Sequence, residues 1–510
     1  MSRPVAGVKT SQRPLLLALA FMLLAFLVAA PSLRGPFISD DVLYLENNPV
    51  LALPLAQALP KLLIEPYFAN WTPLHHLFLL VEWSAFGANP LPYHVVNVLL
   101  HAMTALVMVA AGRRIGLSRP AAIAAATLFL IHPVAAEPVG WINQSKTLLA
   151  VGFSLCALER WLAWLHEPRS GRVAAATVLG ALALLAKPAA IPLPALLLLA
   201  AWTHGRHRGL RRAALDLMPL ATIGAIAFAL GLSAQSTQGG VSPWFGGGPL
   251  GTIQILPWIT WRYVRLVFAP FDLVHGVHPA AVTGWLDARL LWPATALMAV
   301  ALLIMRACWF RRERWLMAAW FFGMLLPVTQ VIPMINLFAD RYLYAALPGA
   351  LWLIADVVDT TARRRGPGAQ HAVFGVLAMV VVLFAGFSNG RAKKWADPES
   401  LYREATIAYP QGRSGWTGLG AELQKQHDLA GAAHAYLQSL AVFPDDGHVR
   451  HLLGRVRLEA QRPDLALYDL EISLRLAPAH PNALWMRRKI DKLRTQGVQP
   501  APDEPSPPVP

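Results

Sequence analysis

The chain has 510 residues, 55% of them hydrophobic and only 14% charged, and its mean hydropathy is +0.44. A soluble protein of this length carries about a quarter charged residues, so the composition excludes an ordinary soluble enzyme and indicates a polytopic membrane protein. The net charge of +15 is not a nucleic-acid footprint, because Arg113-Arg114, Arg206 to Arg212, Arg311 to Arg314 and Arg363 to Arg365 all sit at the ends of apolar runs, as cytoplasmic loops do.

Apolar runs of spanning length predict helices near 15–31, 93–112, 119–135, 146–165, 173–187, 189–203, 213–233, 290–308, 315–333, 343–361 and 370–388. The first follows Arg3, Lys9 and Arg13 and looks like a signal peptide, but no small-residue cleavage site comes after it. Pro31-Ser32-Leu33-Arg34 leads on instead, so a retained span is expected. With the N-terminus inside, the Arg-rich connections fall in the cytoplasm and the C-terminal part falls outside. Cys156 and Cys308 are not expected to form a disulfide.

Just beyond the first span lies PFISDDVLYLENNP, with the adjacent carboxylates Asp40 and Asp41. Such a pair at a membrane edge faces water, a partner or a reaction. A carboxylate here can act as a general base, or hold a metal or a sugar hydroxyl. It can equally cap a helix or sit in a solvated loop, helped by Ser39. The aromatic segment PYFANWTPLHHLFLLVEWSAFG that follows suits an interfacial helix. His75, His76, His94 and His101 make no metal pattern, and His94 and His101 fit packed or hydrogen-bonded positions on one helix face.

Three further segments carry polar groups at span ends. In IHPVAAEPVGWINQSK, His132, Glu137 and Trp141 form a Pro-broken turn, with Lys146 available to pair the Glu. Lys187-Pro188 splits a long apolar stretch, and the Lys either snorkels to the interface or binds a lipid phosphate. In NLFADRYLYAALPG, Asp340 and Arg341 form a local ion pair, or Arg341 offers a fork for a phosphate with Tyr342 and Tyr344 stacked nearby. Between the last two lies a Gly- and Pro-rich connection. It ends in ILPWITWRYVRLVFAPF, where Arg262 and Arg265 favour an interfacial helix over a span at 254–271.

From about residue 389 the chain becomes charged and helix-forming, with a period of 34. Leu419-Gly420 recurs as Leu453-Gly454, Ala432 as Ala466, Ser439 as Ser473 and Pro444 as Pro478, with Tyr402 and Pro410 marking a partial repeat upstream. This is the tetratricopeptide pattern, with small residues where two helices touch and Pro closing the second. A capping helix is expected from Asn482 to Arg494. The expected organisation is all-α: a membrane bundle of about eleven spans over 1–388, a small α-solenoid over 389–495 and a disordered Pro-rich tail over 496–510. No Walker loop, GxGxxG, GxSxG or paired CxxC occurs, which argues against an ATP-driven pump or a soluble-type nucleotide-sugar enzyme.

The ordered segments FISDDVLYLENNPVL, NWTPLHHLFLL, FGANPLPYHVVNVLLHA, ATLFLIHPVAAEPVGWI, LLAKPAAIPLPALL, FAPFDLVHGV and ADRYLYAALPG, with repeats after them, resemble the transmembrane and tetratricopeptide-repeat O-mannosyltransferase family. More broadly they resemble the GT-C glycosyltransferases, which include the protein O-mannosyltransferases. The resemblance covers roughly residues 15–480. It implies transfer of a sugar, with mannose the candidate, from a polyprenyl-phosphate donor to a protein or envelope-glycan hydroxyl outside the cytoplasm. Asp40 or Asp41 would then be the general base, Lys187 and Arg341 would hold the donor phosphate, and His132, Glu137 and Tyr342 would orient substrate. No cofactor is expected beyond the lipid-linked sugar, and no dedicated metal site, though metal dependence stays open. The partners expected are the lipid-linked donor, the acceptor recruited by the repeats, and membrane lipid, but not nucleic acid. Animal members carry many repeats, whereas this chain has about two and a half. Its Ala-, Leu-, Arg- and Pro-rich composition looks bacterial, which implies undecaprenyl phosphate as carrier. It also implies an inner-membrane location with the repeats on the periplasmic side. A non-enzymatic, membrane-anchored repeat scaffold for envelope assembly is the alternative. A transporter ranks last, since almost no charge falls deep inside a span.

Overall fold

A computed structural model gives the fold and describes residues 12–501, apart from 206–208, 238–243, 278, 280–281, 283, 331, 335, 479 and 481. The basic residues Arg3, Lys9, Arg206 and Arg208, and the predicted tail from 502 onward, lie outside the described residues. Among the described residues all extended regular structure is helical, with one isolated bridge between Tyr67 and Asn70.

Seven helices among the described residues are long and apolar enough to cross a membrane: Pro14–Arg34, Pro90–Ile115, Ile142–His166, Leu210–Thr237, Ala288–Trp309, Asp340–Arg365 and Pro367–Ala396. The pair Arg119–Ile131 and Pro133–Gly140, bent by 50°, makes an eighth if it is one broken span. Each of the eleven predicted spans overlaps a helix among the described residues, but three are short. Those at 173–187 and 189–203 correspond to the shorter apolar helices Ser170–Ala186 and Pro188–His204, and that at 315–333 to Glu313–Leu325, of 13 residues. The count of full-length spans is therefore seven or eight, not eleven. Pro188 is the reason for two of the three. It removes a backbone donor and closes the helix behind it, so one long apolar stretch becomes two short helices. The segment Pro249–Phe268 does not meet the spanning standard, and Arg262 within it is buried against Asp272, 2.9 Å away.

Small residues let the helices approach closely, as membrane bundles require. Ala102, Ala105, Ala121, Ala122, Ala125 and Ala126 are buried where Pro90–Ile115 meets Arg119–Ile131. Where Glu313–Leu325 crosses Leu343–Arg365, a Cβ on Gly349 would stand 2.4 Å from the Met317 carbonyl, so only glycine fits.

The bundle has two chemically different ends. At one, basic connections are tied together: Arg114 to Glu159 at 3.1 Å, Arg311 and Arg314 to Asp356 at 2.6 and 2.8 Å, and Arg312 to the Trp202 carbonyl at 3.3 Å. At the other, Asn97, near the start of the helix that ends at Ile115, donates to the Trp141 carbonyl at 3.3 Å. The acidic pair and the three Pro-associated polar segments gather there.

Helix Pro367–Ala396 runs across the predicted boundary at 388–389 and leads into Pro398–Ala408, which Asp397 caps through the Ser400 N–H at 3.2 Å. Antiparallel helices follow: Arg413–Lys425, Leu429–Val442, Gly447–Glu459, Pro463–Leu476 and Ala483–Thr495. Gly420 faces the Tyr436 ring, and one period later Gly454 faces Leu470. The small-against-large contact thus recurs in the same register.

Candidate active site

Two helix breaks create the site. At the first, Pro133 lacks an N–H, and the His132 Nδ1 accepts the Val134 N–H at 3.3 Å in compensation. The other ring nitrogen of His132 donates to the Val267 carbonyl at 3.3 Å, and the ring lies edge-on to Phe384. Both nitrogens serve the backbone, so His132 shapes the bend and has none left to orient a substrate. The bend carries Glu137, Trp141 and Asn143 to the polar end of the bundle. The second break, at Lys187-Pro188, leaves the Lys187 ammonium donating to Thr147 Oγ1 at 2.9 Å.

The two carboxylates differ sharply in surroundings. Asp41 is fully buried. Its Oδ2 accepts the Ile38 N–H at 3.1 Å and its Oδ1 the Asn143 N–H at 2.7 Å, which bolts the acidic turn to the Glu137–Asn143 segment. Asp40 is half-buried, and its single hydrogen bond among the described residues comes from the Asn143 side-chain amide at 3.3 Å. Asp40 therefore has spare, partly exposed acceptor capacity, and buried Asp41 does not.

Burial pushes the Asp41 carboxyl up to about 8, outweighing the two backbone donors, which pull it down. A carboxyl whose folded pKa lies above its unfolded value takes up a proton on folding, so stability falls as pH rises from about 4 to about 8. Melting temperature is accordingly expected to drop across that range by the equivalent of a few kcal/mol at most. Asp41→Asn, which mimics the neutral form, is expected to flatten the slope. A slope unchanged in that variant would remove Asp41 as its source.

Around the carboxylates stand three cations. Lys146 has no hydrogen-bond partner among the described residues and lies over the Tyr44 ring at 5.2 Å, within electrostatic reach of both Asp40 and Asp41. The expected Glu137–Lys146 pair does not form. Glu137 instead accepts from the Arg341 guanidinium at 2.7 Å and the Arg341 N–H at 3.1 Å, with His275 Nδ1 at 3.6 Å. Nor do Asp340 and Arg341 pair, since Asp340 accepts the Val274 N–H at 2.9 Å. The Arg341 guanidinium lies 5.1 Å from the Trp141 ring and 5.2 Å from the Tyr342 ring, while Lys187 lies over Tyr342 at 6.0 Å. Tyr344 turns away and bonds His101 Nδ1 at 2.8 Å.

Thr147, Ser154, Lys187, Arg341 and Tyr342 line one cleft whose remaining walls, including Val151, Trp320 and Met324, are apolar. A cleft cationic at one end and greasy at the other suits an amphiphile with an anionic group. Of the residues expected to work together, the structure gathers Asp40, Asp41, Glu137, Lys187, Arg341 and Tyr342. It adds Lys146, Asn143 and His75, which sequence reasoning did not select. His75 is fully buried beside Tyr44, neither ring nitrogen has a hydrogen-bond partner among the described residues, and burial followed by nearby Lys146 holds its imidazole neutral. Asn143 Oδ1, Ser145 Oγ and Trp141 Nε1 are likewise buried with no hydrogen-bond partner among the described residues. Buried polar atoms in proteins are nearly always bonded, so their concentration here marks a surface shaped for a polar ligand. Among the described residues no group of three or more His, Cys, Asp or Glu converges as a metal site.

No family model matches the chain. Parts of it are similar to curated proteins. Protein O-mannosyl-transferase Tmtc1 of Drosophila melanogaster is 32% identical over 145 residues, 27% of this chain and 17% of that protein. Protein O-mannosyl-transferase TMTC1 of Mus musculus is 32% identical over 139 residues, 25% of this chain and 15% of that protein. Protein O-mannosyl-transferase TMTC4 of Homo sapiens is 30% identical over 192 residues, 32% of this chain and 26% of that protein. The matched stretches thus span about a quarter or less of those relatives' length.

Proposed function

We propose that this chain is an integral-membrane glycosyltransferase that moves a sugar from a polyprenyl-phosphate donor to a hydroxyl of a protein or envelope glycan. The observation that carries the reading is a half-buried carboxylate, Asp40, within electrostatic reach of Arg341, which with Lys187 lines the cleft. A glycosyl transfer needs both groups. Asp40 takes the proton from the acceptor hydroxyl as its oxygen bonds the anomeric carbon. The bond from that carbon to the phosphate oxygen breaks, and the phosphate leaves with the electron pair, held by Lys187 and Arg341. One displacement inverts the anomeric carbon.

Asp41 anchors the turn, Glu137 holds Arg341 in place, and the apolar cleft wall receives the first isoprene units. The names of the similar proteins support mannose as the sugar and protein as the acceptor. The excess of arginine at the other end of the bundle supports placing Asp40 and the repeats on the non-cytoplasmic side. The composition supports a bacterial inner membrane with undecaprenyl phosphate as carrier. The repeats would recruit the acceptor.

The test is transfer by membranes containing the full chain, supplied with labelled polyprenyl-phosphate mannose, with GDP-mannose as the comparison donor and total envelope protein and glycan as acceptors. Label is expected to pass from the lipid-linked donor alone into alkali-labile linkage on protein. Envelope assembly that depends on the chain, with no label moving from any lipid-linked sugar, would replace this reading with the scaffold.

A further inference from the structure

Helix Pro398–Ala408, the partial repeat, is built into the candidate site. Tyr402 on it is 2% exposed, its ring packs so closely on Gly418 that a Cβ there would stand 2.2 Å away, and its phenol lies beside the Ser39 side chain. Ser39 holds φ at +50°. A non-glycine residue keeps that left-handed conformation only where its surroundings impose it. The next residue is Asp40. One helix further on, Lys425 donates to the Phe37 carbonyl at 3.4 Å.

The contacts reach the phosphate side too. Leu401 is buried with Ile38, Ala136, Trp141 and Trp395 in one cluster. Trp395 stacks on Trp141 with centroids 5.7 Å apart and planes 19° apart, and Trp141 in turn faces the Arg341 guanidinium. His275, beside Glu137, lies edge-on to both Trp395 and Tyr402 at 5.6 Å. One short helix thus braces both the turn that carries Asp40 and the segment that carries Glu137 and Trp141.

We infer that Tyr402 is a positioning residue of the transfer site, fixing the Phe37–Asp41 turn and with it the place of Asp40 near Arg341; the inference rests on the function proposed above. The first helix of the repeats then belongs to the transferase itself and not to acceptor recruitment. A consequence is that removing residues from 398 onward stops transfer whether or not the repeats bind acceptor.

Tyr402→Phe in the full chain keeps the ring against Gly418 and deletes only the hydroxyl. Small misplacements of reacting groups reduce rates by about 10–100-fold, so kcat is expected to fall by about 10-fold or more with KM for acceptor unchanged. The matched control is Tyr436→Phe. Tyr436 stands one period later, packs on Gly420, and among the described residues its hydroxyl has no hydrogen-bond partner and it makes no contact with the acidic turn, so kcat is expected to stay at the wild-type value. Unchanged kcat in Tyr402→Phe overturns the inference. So does an equal fall in both variants, which marks general repeat stability, and so does a raised acceptor KM at constant kcat, which marks recruitment. Wild-type membranes that move no sugar would overturn the proposed function instead.

Discussion

Asp40→Asn is expected to lower sugar transfer by about 10²–10⁴-fold, the usual contribution of a general base, with the fold and melting temperature nearly unchanged. The two neighbouring carboxylates make this a sharp comparison. Asp40 has one long hydrogen bond, from a side-chain amide, and is half-exposed, so replacing its carboxylate by an isosteric amide disturbs little else. Asp41 accepts two backbone N–H groups inside the protein, and an amide at that place can accept only one of them. Asp41→Asn is therefore expected to loosen the turn and reduce transfer by about 10-fold, the scale of a misplacement. The two variants are to be compared by initial transfer rates at equal protein, with melting curves from pH 5 to pH 8. An Asp40→Asn protein that retains a tenth or more of wild-type transfer is not missing its base. Full loss in Asp41→Asn alone would move that role to Asp41.

How much of this site could be read in the sequence follows from what makes a residue visible there. Asp40, Asp41, Lys187 and Arg341 are charges at the ends of apolar runs, and such charges stand out because lipid excludes them. His132 stood out for the same reason, yet its two nitrogens bond the Val134 and Val267 backbone, a tether across 135 residues of chain that no local pattern contains. The partner of Glu137 was misjudged by the same limit. Lys146 is near in sequence, but Arg341, 204 residues away, is near in space. Asn143, Ser145 and His75 are neutral polar residues in or beside apolar helices, with no periodicity to distinguish them from capping or packing positions. The 34-residue period made the repeats legible, while the same period hid Tyr402. It conforms to the repeat pattern, and only the fold reveals that its hydroxyl faces Ser39. Helix positions were legible throughout, because each of the eleven predicted spans overlaps a helix among the described residues. Their lengths were not, because Pro188 and the short Glu313–Leu325 end helices inside stretches that are apolar overall.

Glu137→Ala is expected to be the most destabilising single change at the site, by about 3–5 kcal/mol, because it strands the buried Arg341 guanidinium without its counter-ion. Trp141 and Tyr342 flank that guanidinium and return part of the loss, about 0.5–2 kcal/mol, through their ring faces. The net effect should appear as a large drop in melting temperature and in the amount of chain recovered from membranes. Removing both charges tests what the pair is for. A buried ion pair is often replaceable by apolar groups at no loss of stability, so Glu137→Ala combined with Arg341→Met should recover most of the melting temperature. Transfer should not recover with it, because Arg341 is one of only two cations lining the cleft proposed to hold the leaving phosphate. Stability regained without transfer separates the two roles of Arg341. A double variant that is both stable and active would show that the pair only holds the bend at Pro133 to the start of helix Leu343–Arg365, and would leave the phosphate to Lys187 and the unpaired Lys146.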